Sequence, residues 1–178
     1  MAVDLTTLVP EFRTQVEAVI LKCAERGIEM RPHGALRTPL DQAKKWRQSR
    51  AIEEILEEIA KLRSSGADFL ADCLESVGPQ HGKHVTNAIP GKSWHQWGEA
   101  ADCFWVVNGE AVWSSTKKVN GLNGFHVYAE EAEALGLTAG GMWSDFKDWP
   151  HLQLRSASNA MKVMSIEEIN DVMKERFG

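Results

Sequence analysis

His95, Asp102 and His151 are side chains of the kinds that hold a catalytic metal ion, two imidazoles and a carboxylate. The first two share the stretch Ser93-Trp94-His95-Gln96-Trp97-Gly98-Glu99-Ala100-Ala101-Asp102, and the third closes Asp148-Trp149-Pro150-His151. Their spacing sets a condition on the backbone. An odd separation of His95 from Asp102 would send them to opposite faces of an unbroken strand. A turn or bulge at Trp97-Gly98 is therefore required for the two to converge. Cys103, next to Asp102 in the expected strand, then faces away and is not expected to ligate. Pro150 forbids a helix interior, so Asp148 and His151 flank a bend that enters a strand. A carboxylate placed there can stand beside a metal without binding it, which is the position of a general base. By residue type alone two readings stand side by side: a metal site, or two chance His–Asp pairs.

The elements that must position these groups follow from hydrophobic periodicity. Leu8, Phe12, Val16, Val19, Ile20 and Cys23 recur at helical spacing, so a helix is expected from about Pro10 to Arg26, stopped by Gly27. A short extended segment follows over Ile28 to Arg37. Thr38 then caps a helix with Pro39 in its first turn. Arg37 sits at that junction, either facing a cleft or paired on the surface with a nearby acid such as Asp41. Ile52, Ile55, Leu56, Ile59 and Leu62 form another apolar stripe with Glu53, Glu54, Glu57 and Glu58 on its wet side. Ser64-Ser65-Gly66 interrupts it, and Phe69 to Val77 resume the period. Gly78 to Gly91 reads as a loop whose His81 and His84 are expected to be exposed.

Beyond Ala100 the pattern turns to strand. Asn108-Gly109 between two apolar runs predicts a hairpin that brings Ala111 to Trp113 back along the first strand. A helix is expected over Phe125 to Leu135 with Gly136 as its stop, and His126 on it is read as a packing or surface residue. A turn follows at Gly140 to Trp143, then a short strand from His151. Ser165 with Glu168 makes a capping box for a last helix burying Ile166, Ile169, Val172 and Met173. The tryptophans near the histidines, Trp94, Trp97, Trp143 and Trp149, either wall a groove or belong to the core. The expected class is α+β: one domain over residues 1–178, with a small central antiparallel sheet flanked by helices and a helical insertion at about 50–78.

The bulk numbers narrow the function classes. The chain has 178 residues and a formal charge of −5, which disfavours nucleic acid as a partner because phosphate binding needs a basic face. No apolar run reaches membrane-spanning length. Three cysteines, at 23, 73 and 103, make no disulfide framework and point to synthesis in a reducing compartment. The first residues, Met1-Ala2-Val3-Asp4-Leu5, lack the basic and apolar regions of a secretory signal, so the chain is expected to be made in the cytoplasm.

Ser93-x-His95-x-x-Gly98-x-Ala100-x-Asp102, followed by Asp148-x-Pro150-His151, resembles the signature of the D-alanyl-D-alanine carboxypeptidase family of zinc peptidases. That family includes VanY-type carboxypeptidases and the L-alanyl-D-glutamate endopeptidases used as phage endolysins. The early helix, Arg37 with Gln42, Val85-Thr86-Asn87-Ala88, and Gly140-Gly141-x-Trp143 resemble family features in the same order. The resemblance implies that His95, Asp102 and His151 bind one zinc ion and that Asp148 is the catalytic base. It implies that Arg37 contacts a substrate carboxylate or carbonyl, with Ser93 lining the site. It also implies a peptidoglycan stem peptide as substrate. A monomer is expected, and the lack of a secretory signal fits an enzyme that acts on the cell wall after release. Endopeptidase cleavage of the L-alanyl-D-glutamate bond is favoured over removal of terminal D-alanine. A zinc-dependent peptide-binding module without catalysis is the rival class, and the retained Asp148 argues against it. The segment from about Arg50 to Gly78 is longer than compact members need.

Overall fold

The computed structural model describes residues 3–178; Met1 and Ala2, which open the stretch read for a leader, lie outside the described residues. Six helices and five strands are assigned among them, an α+β content, and every strand pairing is antiparallel. The chain divides into two compact units, Met1–Leu36 with Trp97–Ser156 and Arg37–Gln96 with Ala157–Gly178. No described helix is long and apolar enough to cross a membrane.

The first unit is a sheet packed on two helices. Its strands are β1 (Glu29–Gly34), β2 (Ala100–Val107), β3 (Glu110–Val112), β4 (Thr138–Ala139) and β5 (His151–Gln153). They lie in the order β1-β2-β5-β4, and β3 pairs with the far end of β2. The expected hairpin is present: Asn108 and Gly109 both take positive φ, 52° and 83°, which suits the twist of a two-residue turn. Helix α1 (Pro10–Glu25) buries Phe12, Val16, Val19 and Cys23 against Met30, Ala101, Cys103 and Trp105 of the sheet. Helix α5 (Gly124–Ala134) is capped by Asn123, whose side-chain oxygen accepts from the Phe125 and His126 amides. At Gly124 a β-carbon would lie 2.2 Å from the Trp105 ring, so glycine is what lets the helix reach the sheet.

The second unit is helical. It holds α2 (Pro39–Arg47), α3 (Ile52–Ser64), α4 (Asp68–Ser76) and α6 (Ile166–Phe177). Thr38 caps α2 through the Asp41 amide, and the Ser165–Glu168 capping box opens α6 as expected. Gly66, at φ +70°, turns the chain between α3 and α4 where the period was interrupted. The stripe on α3 is narrower than its sequence suggested: Ile55, Ile59 and Leu62 are buried, whereas Ile52 and Leu56 are exposed. In α6, Asn170 is buried and accepts from the Leu70 amide, a polar contact that periodicity does not reveal.

Candidate metal centre

The ligand atoms of His95, Asp102 and His151 all lie within 4.8 Å of one another. This is the His–Asp–His group that the residue types singled out. Both histidines are buried and Asp102 is half-buried, so a charge held there is shielded from bulk water. Two imidazoles and one carboxylate make a donor set suited to a divalent ion such as zinc.

Each candidate ligand has an identifiable local cause. His95 lies in the single turn Trp94–Trp97, where the Ser93 hydroxyl accepts from the His95 amide at 3.4 Å. The chain then breaks at the glycine that parity required. Gly98 has φ +73°, and its carbonyl accepts from the Val9 amide at 3.0 Å. A β-carbon there would meet the Thr7 carbonyl oxygen at 3.1 Å. Asp102 follows on β2, directly opposite His151 in the β2–β5 register and opposite Gly34 in the β1–β2 register. A side chain at 34 would collide with it, since a β-carbon would stand 2.7 Å from Asp102 Oδ2.

His151 is held from both sides. Its Nδ1 lies 3.2 Å from Asp102 Oδ1, and its Nε2 lies 3.1 Å from Gln153 Oε1. The Gln153 amide is itself oriented, because its nitrogen donates to the Arg155 carbonyl at 2.6 Å. With Oε1 thus turned toward Nε2, a proton held there leaves the Nδ1 lone pair, beside Asp102, available to a metal ion. Two ligands on a tetrahedral ion with bonds of about 2.0–2.2 Å stand about 3.4 Å apart, close to the Nδ1–Oδ1 distance found here. Burial opposes a charge on His151, but the Asp102 hydrogen bond and carboxylate outweigh it, with Asp148 and Gln153 adding, and its pKa lies above the ordinary 6.5.

Asp148 is half-buried at the bend before β5. Its amide donates to the Gly140 carbonyl at 3.0 Å, and its carbonyl accepts from the His151 amide at 3.1 Å. Gly140 is required by contact, since a β-carbon there would sit 2.3 Å from the Asp148 carbonyl oxygen. Trp143 packs on the imidazole of His151 with ring centroids 5.3 Å apart.

Arg37 belongs to a chain of buried amides. Its amide donates to the His95 carbonyl at 3.1 Å, and its guanidinium donates to Gln42 Oε1 at 2.9 Å. Gln42 Oε1 also accepts from Gln96 Nε2, and Gln42 Nε2 donates to the Ala88 carbonyl at 2.6 Å. The fully buried Gln42 thus ties Arg37 to the turn that carries His95. Ser93 holds that same turn by its bond to the His95 amide.

Other candidates fall away. Cys103 is buried on the core side of β2, and desolvation pushes its thiol up to about 12. His81 and His84 are exposed in the loop, and His126 stacks on Trp149 at 4.5 Å. Of the four tryptophans, Trp94 is buried with its indole donating to the Ala157 carbonyl. Gly34 and Gln153 are the residues that the sequence reading missed. A glycine inside an otherwise extended run was the available signal for the first; a polar residue two positions after a candidate ligand was the signal for the second.

Residues 86–154 match the family model described as D-alanyl-D-alanine carboxypeptidase. The matched segment holds all three candidate ligands. The match takes in Ser93, Asp148 and Gln153 as well, while Arg37 lies outside it. Among curated proteins the chain is similar to the peptidoglycan L-alanyl-D-glutamate endopeptidase CwlK of Bacillus subtilis (strain 168). The two are 36% identical over 76 residues, which is 41% of this chain and 46% of that relative. The matched region thus spans about half the length of the curated peptidase. Among solved structures the chain is similar to the L-Ala D-Glu endopeptidase ChiX of Serratia marcescens, with a TM-score of 0.45 and 18% identity, covering 85% of this chain and 83% of that one.

Proposed function

We propose that the chain is a zinc-dependent peptidase of peptidoglycan stem peptides, cleaving the L-alanyl-D-glutamate bond. The observation that carries this reading is the His95–Asp102–His151 cluster with the Asp148 carboxylate acting electrostatically on His151. The bond preference draws support from the similarity to a curated L-alanyl-D-glutamate endopeptidase.

A zinc ion at the cluster would polarise the scissile carbonyl and favour attack by water. The chain's own residues do the rest. His95 and His151 supply neutral nitrogens, and Asp102 supplies the charge that offsets the ion's. Gln153 keeps the His151 proton on Nε2. Asp148 takes a proton from the attacking water and returns it to the leaving amine. Arg37, restrained by Gln42, presents a planar guanidinium that can grip a substrate carboxylate with two hydrogen bonds. Ser93 lines the same turn. One chain supplies every group named, so one protomer suffices, and the substrate is met at the cell wall.

Removal of a terminal D-alanine is the second reading, favoured by the description of the matched family model. Mass spectrometry of muropeptides after digestion separates the two. A new N-terminal D-glutamate supports the endopeptidase, and loss of a single alanine replaces it with the carboxypeptidase.

A further inference from the structure

The sheet face that bears Asp102 also carries an aromatic cluster that the metal chemistry does not use. On β2, Ala101, Cys103 and Trp105 point into the core, so alternation puts Asp102 and Phe104 together on the opposite face. Val112 pairs with Trp105, so the next residue, Trp113, comes alongside Phe104. His33 arrives from β1 on the other side. The His33 and Trp113 rings lie 5.3 Å apart, Phe104 and Trp113 5.7 Å, and His33 and Phe104 6.2 Å. Trp113 is 56% exposed, and His33 is exposed as well. A solvated sheet face ordinarily carries polar residues, and a contiguous aromatic patch in their place marks a contact surface. The patch adjoins the candidate centre: His33 precedes the Gly34 that faces Asp102, and Phe104 is two residues, about 7 Å, along β2 from that ligand.

We propose that His33, Phe104 and Trp113 form a shelf that seats an N-acetylated amino-sugar ring of the glycan to which the stem peptide is attached. The inference rests on the peptidase reading of the neighbouring centre. A pyranose offers an apolar C–H face that packs on aromatic π faces, and its hydroxyl and acetamido groups meet the indole and imidazole nitrogens at their edges. Among the described residues, the cation beside the shelf in the β1–β2 register is Arg31, opposite Phe104, and it is paired with Glu29 at 2.6 Å. A stem peptide, rich in carboxylates, would be drawn instead to a guanidinium. The spacing agrees as well, because an alanine and a lactyl link separate the L-alanyl-D-glutamate bond from the sugar, and about 7 Å spans two such units of extended chain.

The test compares two substrates, a disaccharide carrying the stem peptide and the same peptide without sugar. For Trp113→Ala the ratio of kcat/KM on the first to kcat/KM on the second falls about tenfold or more, mainly through KM, as expected for loss of a stacking partner. Trp113→Phe keeps most of the ratio, and His33→Ala lowers it less. An unchanged ratio in Trp113→Ala overturns the proposal, and so does a larger loss on the sugar-free peptide, which would assign the shelf to peptide. If the wild-type protein with zinc cleaves neither substrate, the peptidase reading fails and the shelf is judged separately by titrating tryptophan fluorescence with the disaccharide alone. A change that disappears in Trp113→Ala supports the shelf, and the absence of any Trp113-dependent change overturns it.

Discussion

Gly34 faces Asp102 across the β1–β2 pairing, and a β-carbon at position 34 would stand 2.7 Å from Asp102 Oδ2. The missing side chain is the room in which the carboxylate turns. Gly34 is outside the left-handed region, so alanine there brings no backbone strain and acts on the carboxylate alone. Gly34→Ala should weaken zinc binding about 10–100-fold, the range for displaced supporting contacts, while moving folding stability by less than about 1 kcal/mol. Competition with a chelating dye gives the affinity, and thermal unfolding gives the control. Unchanged affinity would show that the carboxylate does not need that space.

Gly98 acts through the backbone. Its φ of +73° and the 3.1 Å approach to the Thr7 carbonyl leave no place for a branched side chain. Gly98→Val should cost about 1–3 kcal/mol and lower Tm by about 2–4 °C per kcal/mol. It should weaken zinc binding too, although residue 98 is no ligand. Calorimetric unfolding with and without zinc reads both effects. Normal zinc affinity in a folded Gly98→Val protein would remove the break in the chain as the reason His95 and Asp102 meet.

Gln153 Oε1 stands 3.1 Å from His151 Nε2, placed to accept a hydrogen bond from a proton there and leave Nδ1 for a metal ion. In Gln153→Ala that constraint is gone, and zinc affinity should fall about 10–100-fold with all three candidate ligands intact. Gln153→Glu, which keeps an acceptor at the same place, should recover most of it. Zinc titration of the two variants decides: equal affinities in alanine and wild-type proteins would leave Gln153 a packing residue.

Protonation of His151 gives opposite pH trends with and without metal. Its pKa in the folded chain is raised above 6.5, so the stability it lends the metal-free protein is complete below 6.5 and is lost as pH rises through the folded value. Zinc needs the neutral ring, so zinc affinity should rise with pH until that same folded value is passed. Zinc affinity should therefore begin to fall at a pH above 6.5 on acidification. Affinity followed through the neutral range tests this, and a break at or below 6.5 would contradict the Asp102–His151 coupling.

Much of this was legible in the sequence because the signals were local. The helices showed in their periodicity and caps, the hairpin in Asn108-Gly109, and the break before β2 in the parity of His95 and Asp102. What stayed hidden depends on partners far along the chain. Gly34 matters only because β1 registers against Asp102, and Trp113 joins Phe104 and His33 only once three strands are paired. Ile52 and Leu56 read as core because periodicity reports an apolar stripe but not how wide a stripe its neighbours cover. Gln42 sat in a short helix, where nothing local marks an amide that will be fully buried between Arg37 and Gln96.

Asp148→Ala tests most directly whether the candidate metal centre carries its own base. The measurement is a paired one: zinc content after desalting, and muropeptide products from purified peptidoglycan by mass spectrometry. Zinc should remain stoichiometric, because the proposed ligands are His95, Asp102 and His151 and all three are intact in the variant. New N-terminal D-glutamate, the product expected of the wild-type protein, should fall about 10²-fold or more in the variant. Undiminished cleavage by a zinc-loaded Asp148→Ala protein would contradict the account.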